Sequence, residues 1–277
     1  MGFGDALIAA GCAQSRYDAD SSQGPIAICD PSTGRVRWHY LWRDNPAVFD
    51  PATSSIQPCP PYRHPAILCG DGRLPYLQYP CSARAGWRFS DWRVCDHRPR
   101  LTLRDDERAL GWDVWGVPHG TPFLLLEPTS TYKTINRRPP HAFWVALLSL
   151  LRRQFPRLPI VQLAHVEAEM LPDVIAIPHK DFREACGVLS GASLLVTTEG
   201  GLVHAAAALG VPAVVLWGGC ISVESLGYPE HLNIVDDDPQ TPCGQQVPCN
   251  HCADAWRRLT PEQVVDAVQK QVTDGVP

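Results

Sequence analysis

The stretch from Ser190 to Gly219, SGASLLVTTEGGLVHAAAALGVPAVVLWGG, constrains the fold more than any other part of the chain. An apolar, β-rich run (Leu194 to Thr198) leads into a Glu-Gly-Gly turn, an Ala-rich segment (Leu202 to Leu209) and a second apolar run (Pro212 to Trp217). That order predicts strand, turn, helix and strand. Gly200 and Gly201 have no Cβ, so the chain can turn sharply there and a ligand can approach the backbone. The helix that follows opens with free N–H groups and a partial positive charge, which suits a phosphate or diphosphate. Glu199 stands at the strand's carboxyl end, where open α/β sheets bind ligands. A βαβ unit that only packs a core fits the same residues, and His204, one turn into the helix, fits hydrogen-bonded packing as well as chemistry.

The chain before this block repeats the same alternation. Pro122 to Glu127 (PFLLLE) reads as a buried parallel strand, Phe143 to Phe155 as an amphipathic helix and Leu158 to Leu163 as the next strand. Val174 to Ile177 adds a short strand, and Asp181 caps a helix from Phe182 to Leu189. Strands alternating with helices predict a parallel, doubly wound sheet. The first of these strands opens into PTSTYKTINRRPP, where Thr129, Ser130 and Thr131 offer hydroxyls and Lys133 a cation. Together with backbone N–H groups these make a phosphate cradle.

The first half is harder to read, and its many prolines (27 in the chain) predict a loop-rich region. Gly2 to Gln14 pairs a G-x-G-D turn with an apolar helical stretch, Ala6 to Ala13, which puts Asp5 at a helix start. A helix N-terminus favours the ionised carboxylate, whether it serves as a simple cap or faces a ligand. Pro25 to Asp30 and Arg35 to Trp42 read as β-like runs, and the aromatic-rich region Tyr62 to Trp115 as packing or a surface for a planar or sugar-like ligand. Leu101 to Gly111, with Asp105, Asp106, Glu107 and Arg108, reads as a charged, solvated helix or linker. A domain boundary is placed there, dividing residues 1–110 from 111–277.

A net charge of −5 argues against an indiscriminate nucleic-acid binder, although Arg35, Arg37, Arg43, Arg137 and Arg138 leave local basic segments. No apolar run approaches the roughly 18 residues of a membrane helix, and MGFGDALIAAGCAQ lacks the basic opening of a signal peptide. The expectation is a cytoplasmic protein. Eleven cysteines, an odd number spread from Cys12 to Cys252, do not form a secreted disulfide framework. Cys243, Cys249, His251 and Cys252 offer a zinc-binding set, but the C-x5-C-x2-C spacing is not that of a standard knuckle, and a reduced, packed loop is expected without metal. Thr260 caps a last helix, Pro261 to Val272.

PTSTYK, the P-x-VQL strand and the block TEGGLVHAAAALGVP together resemble the heptosyltransferase-like glycosyltransferases, and GFGD resembles that family's N-terminal G-x-GD turn. The resemblance implies two Rossmann-like domains facing each other across a cleft (the GT-B arrangement), here with an abbreviated, loop-rich N-terminal half on the acceptor side. It implies a nucleotide-sugar donor as co-substrate, no cofactor and a saccharide acceptor of lipopolysaccharide type. Asp5 would be the general base. Thr129, Ser130, Thr131 and Lys133 would hold the donor diphosphate, and Glu199, Gly200, Gly201 and His204 the nucleotide-sugar. The leaving diphosphate would then be stabilised without a divalent ion, and single displacement would invert the anomeric centre. Two alternatives stand beside this: transfer to a modified base in DNA, and a non-catalytic nucleotide-sugar-binding module. An NAD-type oxidoreductase is disfavoured, because no G-x-G-x-x-G opens a helix in the expected context.

Overall fold

In the computed structural model the described residues are 2–29, 35–52, 62–63, 79–80, 87–88, 98–128, 136, 138–165, 168–238, 241–243 and 248–273. The first helix, α1 (Phe3–Ala19), extends beyond the apolar stretch that marks it in sequence and buries all of Ala6 to Ala13. Its side chains there are mostly small, so neighbours reach its backbone: a Cβ on Gly11 would collide with the backbone of Arg98 and Pro99. Short strands follow. Of these, β1 (Ile28–Cys29) and β2 (Tyr62–Arg63) pair parallel, and β3 (Tyr79–Pro80) and β4 (Trp87–Arg88) antiparallel. Between β1 and β2, the run Arg35 to Trp42 departs from its expected strand and ends in a 3-10 turn, Tyr40–Trp42. There the buried Trp42 ring lies under α1 and its Nε1–H donates to the Ala6 carbonyl at 2.7 Å. A large ring buried with its only N–H satisfied outweighs the local β tendency.

The chain then builds one sheet. The elements are α2 (Asp105–Trp112), β5 (Leu124–Glu127), α3 (His141–Gln154), β6 (Ile160–Ala164), β7 (Ile175–Pro178), α4 (Phe182–Ser190), β8 (Leu194–Thr198), α5 (Gly201–Leu209), β9 (Ala213–Trp217), α6 (Val223–Leu226), β10 (Leu232–Val235), α7 (Asn250–Arg258) and α8 (Pro261–Thr273). Six strands lie in the order β10-β9-β8-β5-β6-β7, every pair parallel. All residues of β5, β8 and β9 are buried, as expected for strands covered on both faces. Side chains alternate between two cores. Leu125, Val161, Leu163, Leu195 and Val215 face the layer of α1, α4 and α5, while Leu124, Leu126, Ile160, Val196 and Leu216 face α3 and α8. This is the Rossmann-like sheet anticipated from the alternation of elements. Helix α1 and the Leu41–Trp42 turn share the first of those cores, so the start of the chain is packed onto the sheet's own helical layer.

Helix α2 departs from the solvated segment expected of it. Glu107 is buried, paired to the buried Arg183 of α4. Backbone meets backbone at the α2–α4 crossing: a Cβ on Gly111, Gly187 or Gly191 would strike the opposite helix. The charges visible in sequence mark α2's first turn, whereas its buried face is made by glycine and one ion-paired glutamate, which carry no apolar signal. Among the described residues, no helix is long and apolar enough to cross a membrane.

Candidate active site at the sheet switch point

Numbered from β5, the six strands have the order 3-2-1-4-5-6, so the chain's winding reverses between β5 and β8. At such a reversal the loops leaving the two central strands diverge, opening a crevice at their carboxyl ends. Here Thr197 Oγ1 donates to the Glu127 carbonyl at 2.9 Å, bracing the two strand ends. The sequence singled out the two loops that leave this point, 128–136 after β5 and the Glu199–Gly201 turn after β8.

Thr129, Ser130, Thr131 and Lys133 lie outside the described residues. The far end of their loop is fixed: Asn136 is fully buried, and its Oδ1 accepts from the Cys249 N–H at 3.1 Å. In the other loop Glu199 is buried and Gly200 is the N-cap of α5. Apart from the carbonyl of Thr198 at 4.0 Å, no described atom lies near the position a Gly200 Cβ would occupy. At Gly201 the close approach is by protein: a Cβ there would meet Phe182 at 3.1 Å and Phe3 at 3.3 Å. The first turn of α5 thus presents its N–H groups beside a stacked pair of rings, Phe3 on Phe182, with centroids 4.5 Å apart.

Asp5 is brought to the same place by α1. Gly4 lies against the His204 ring so closely that a Cβ would be 2.5 Å from its Cδ2, and α1 packs along α5. Asp5 is half-buried in the first turn of α1, and its Oδ2 accepts from the Gly2 N–H at 3.2 Å. The first turn of α1, which carries Asp5, and the first turn of α5 therefore sit side by side at the switch point.

His204 is buried, turned toward α1 on one side and Tyr228 on the other, with Nδ1 2.6 Å from the tyrosine hydroxyl. Tyr228 in turn meets the edge of the buried His231 ring. Burial, aided by the neighbouring His231, pulls His204 down to about 3, so the ring is neutral at physiological pH. Tyr228 and His231 carried no sequence signal, because they lie 24 and 27 residues further on and reach the site only through the fold. An apolar cavity of about 320 Å³, lined by Phe123, Phe155 and Leu194 among others, opens at the amino ends of the strands, the wrong end for a switch-point ligand.

A second cluster adjoins the site. The thiols of Cys243, Cys249 and Cys252 lie 3.3 to 3.9 Å apart, and a His251 ring nitrogen lies within 4.8 Å of all three, a set able to hold a metal ion. The packed loop expected over the cysteines gives way at Asn250 to α7, with Cys249 as its N-cap.

The sequence profile of glycosyltransferase family 9 (heptosyltransferase) matches residues 91–250, more than half of the chain. No curated protein matches the chain in sequence. Among solved structures, the fold is similar to the iron-containing dodecameric glycosyltransferase TibC from enterotoxigenic Escherichia coli H10407, at TM-score 0.64 and 13% identity, over 99% of this chain and 74% of that one. A family 9 glycosyltransferase from Veillonella parvula is similar at TM-score 0.50 and 15% identity, over 64% of this chain and 54% of that one. The ADP-heptose lipopolysaccharide heptosyltransferase II of E. coli aligns at TM-score 0.49 and 17% identity with the same coverage, so the chain spans about half the length of these last two proteins. With the family profile covering the strands, turn and helix that form the switch point, the chain belongs to glycosyltransferase family 9, the heptosyltransferase family.

Proposed function

We propose that this chain is an inverting glycosyltransferase that moves a sugar from a nucleotide-sugar donor to a saccharide acceptor. The observation that carries the reading is the convergence of Asp5 with the N-terminus of α5 at the switch point, through the Gly4–His204 and Phe3–Gly201 contacts. The donor diphosphate lies at the first turn of α5, where backbone N–H groups and the helix dipole meet negative charge, with Lys133 and the hydroxyls of Thr129, Ser130 and Thr131 as its further ligands. Glu199 and Gly200 border the nucleotide-sugar. His204, neutral and fixed by Tyr228, shapes the floor beneath them.

In the transfer step the acceptor hydroxyl attacks the anomeric carbon from the face opposite the diphosphate. The Asp5 carboxylate takes the hydroxyl proton as the new C–O bond forms, and the bond to the diphosphate breaks with its electron pair. The helix end and Lys133 stabilise the departing charge without a divalent ion at the diphosphate. One displacement inverts the anomeric configuration.

The test is a thermal-shift screen of nucleotide-sugars, followed by transfer assays with the ligand that binds. A ligand at 100 times its Kd stabilises the native state by about 2.7 kcal/mol, a readable rise in melting temperature. Asp5→Asn should lower kcat by roughly 10²- to 10⁴-fold while leaving that rise unchanged. Unchanged turnover in Asp5→Asn removes the assigned base. Donor binding with no transfer to any saccharide favours a binding module.

A further inference from the structure

We infer that Tyr228 and Asn233 are positioning residues for the transfer step: with His204 they form a strut that runs from the sheet to the first turn of α1 and sets where Asp5 stands. The strut rests on geometry, and its kinetic consequence rests on the reading of Asp5 as the base. Its fixed end is the sheet. Asn233 of β10 accepts from the Trp217 Nε1–H of the neighbouring β9 at 2.8 Å. Its Nδ2 donates to the Tyr228 carbonyl at 3.0 Å and to the His231 carbonyl at 3.1 Å. The His231 N–H closes the turn onto the Tyr228 carbonyl, also at 3.1 Å. One carboxamide thus uses both its N–H groups and its oxygen to hold the turn that carries Tyr228.

From that turn the tyrosine reaches inward. Its buried ring meets two imidazoles in T-shaped contacts, His204 with centroids 5.6 Å apart and His231 with centroids 5.5 Å apart. Neither His231 nitrogen has a hydrogen-bond partner among the described residues, and burial pulls that ring down to about 4, so it packs against the tyrosine as a neutral wedge. The Tyr228 hydroxyl lies 2.6 Å from His204 Nδ1. Turning the imidazole over would put Cδ2 in place of Nδ1 and lose this bond inside the protein, where an unpartnered polar atom is costly. The bond therefore selects the ring orientation in which Cδ2 and Nε2 face α1.

The first turn of α1 rests on that edge of the ring. A Cβ on Gly4 would be 2.5 Å from His204 Cδ2 and 3.1 Å from Nε2, so the backbone of α1 lies directly against the imidazole. Phe3 against Gly201 is the other close approach between the first turns of the two helices. Around one contact α1 can pivot; the second fixes its angle. The stack of Phe3 on Phe182 and the bond from Trp42 to the Ala6 carbonyl keep the helix docked, so loss of the strut shifts the first turn without unfolding it.

Asp5 follows Gly4 in the same turn, so a shift of Gly4 carries its carboxylate along. A general base must stand within hydrogen-bond reach of the hydroxyl it deprotonates, and a misplacement of about 1 Å can cost on the order of 100-fold in rate. The proposed donor contacts lie on α5 and the loop after β5, apart from α1. The strut therefore acts through Asp5 on turnover and leaves donor affinity in place.

Tyr228→Phe removes the hydroxyl alone. Amide hydrogen exchange of the ligand-free full chain reads the strut: the amides of Ala6, Leu7 and Ile8 should exchange about tenfold faster than in the wild type, while those of β8 and β9 keep their rates. In the transfer assay kcat should fall roughly 10- to 100-fold with donor Kd changed by less than about threefold. That loss should vanish when Asp5→Asn is already present, because a residue acting through Asp5 then has nothing left to position. Should Tyr228→Phe fail to fold, Asn233→Asp tests the same chain of bonds with the same expected signs, since this half-buried side chain would keep an acceptor for Trp217 and lose its donors to the turn. Unchanged exchange at Ala6 to Ile8, kcat and donor affinity lost together, or the full loss repeated on top of Asp5→Asn would each overturn the inference. Wild-type turnover in Asp5→Asn would instead remove the assigned base, and faster exchange in α1 of Tyr228→Phe would still show the strut holding that helix.

Discussion

Replacing Arg183 with alanine should destabilise the protein by about 3 kcal/mol, the lower end of the cost of breaking a buried ion pair. Arg183 is 2% exposed and Glu107 6%, and the pair is bidentate, with Nε to Oε1 and Nη2 to Oε2 both at 2.6 Å. The same guanidinium donates to the Thr102 carbonyl at 2.7 Å and reaches toward the carbonyls of Tyr40 and Leu41. One side chain therefore ties α4 to α2 and to the turn that seats Trp42 under α1. Truncating it leaves the Glu107 carboxylate buried, supported by the Arg104 N–H at 2.9 Å and the Arg104 guanidinium at 3.5 Å, which is why the lower figure is chosen. Three kcal/mol corresponds to roughly 150-fold in the folding equilibrium and about 6–12 °C in melting temperature. Urea unfolding followed by tryptophan fluorescence reads it directly. Arg183→Met with Glu107→Leu should recover much of the loss, because no charge is then stranded. Burial pushes the Glu107 carboxyl up, but the Arg183 bonds, the Arg104 N–H and both guanidinium charges outweigh it and hold the group below its ordinary 4.5. The pair's contribution is thus present above pH 4.5 and lost as pH falls through the lower folded-state value. A cost under about 1 kcal/mol for Arg183→Ala, or a double variant as unstable as the sum of the two single ones, would refute this account.

Gly4→Ala places a methyl 2.5 Å from His204 Cδ2 and should cost roughly 1–3 kcal/mol; because it lifts α1 from α5, transferase turnover should fall more than donor affinity. Gly191→Ala drives a methyl into the Gly111 carbonyl at the α2–α4 crossing and should be at least as damaging to melting temperature, whereas Gly210→Ala, with a positive φ of 74° but open space around it, should cost only about 1 kcal/mol. His204 is neutral in the fold down to about pH 3 but takes a proton near pH 6.5 when unfolded, so stability should decline as pH drops from 6.5 toward 3. His204→Gln should flatten that part of the pH–stability curve, and an unchanged slope would mean the burial argument fails. Arg258→Met strands the buried Asp236 carboxylate, bonded at 2.7 and 2.6 Å, and should lower the urea midpoint without changing the slope.

The local part of the architecture was legible in the residues. Strands β5, β8 and β9 announce themselves as continuous apolar runs because a strand covered on both faces needs no polar alternation, and α5 is bounded by Gly200 and Gly210, which are its caps. Asp181 and Thr260 mark helix starts because short oxygen side chains satisfy the first N–H groups, as Asp181 does for Arg183 and Glu184. Asp5 at a helix start, and Glu199 and Gly200 at a strand's end, follow from the same local chemistry.

What the residues alone did not disclose depends on contacts between distant segments. Glu107 looked solvated because its partner lies 76 residues away, and Arg35 to Trp42 looked extended because the tertiary bond of Trp42 to Ala6 is invisible to periodicity. Strand order, the convergence of the first turn of α1 on α5 and the Tyr228 support of His204 were likewise settled only by packing. Backbone propensity and capping act over a few residues, so sequence determines the pieces and their polarity; which pieces meet is decided by the burial of whole faces, in which each side chain's partner is chosen by the fold rather than by its neighbours in the chain.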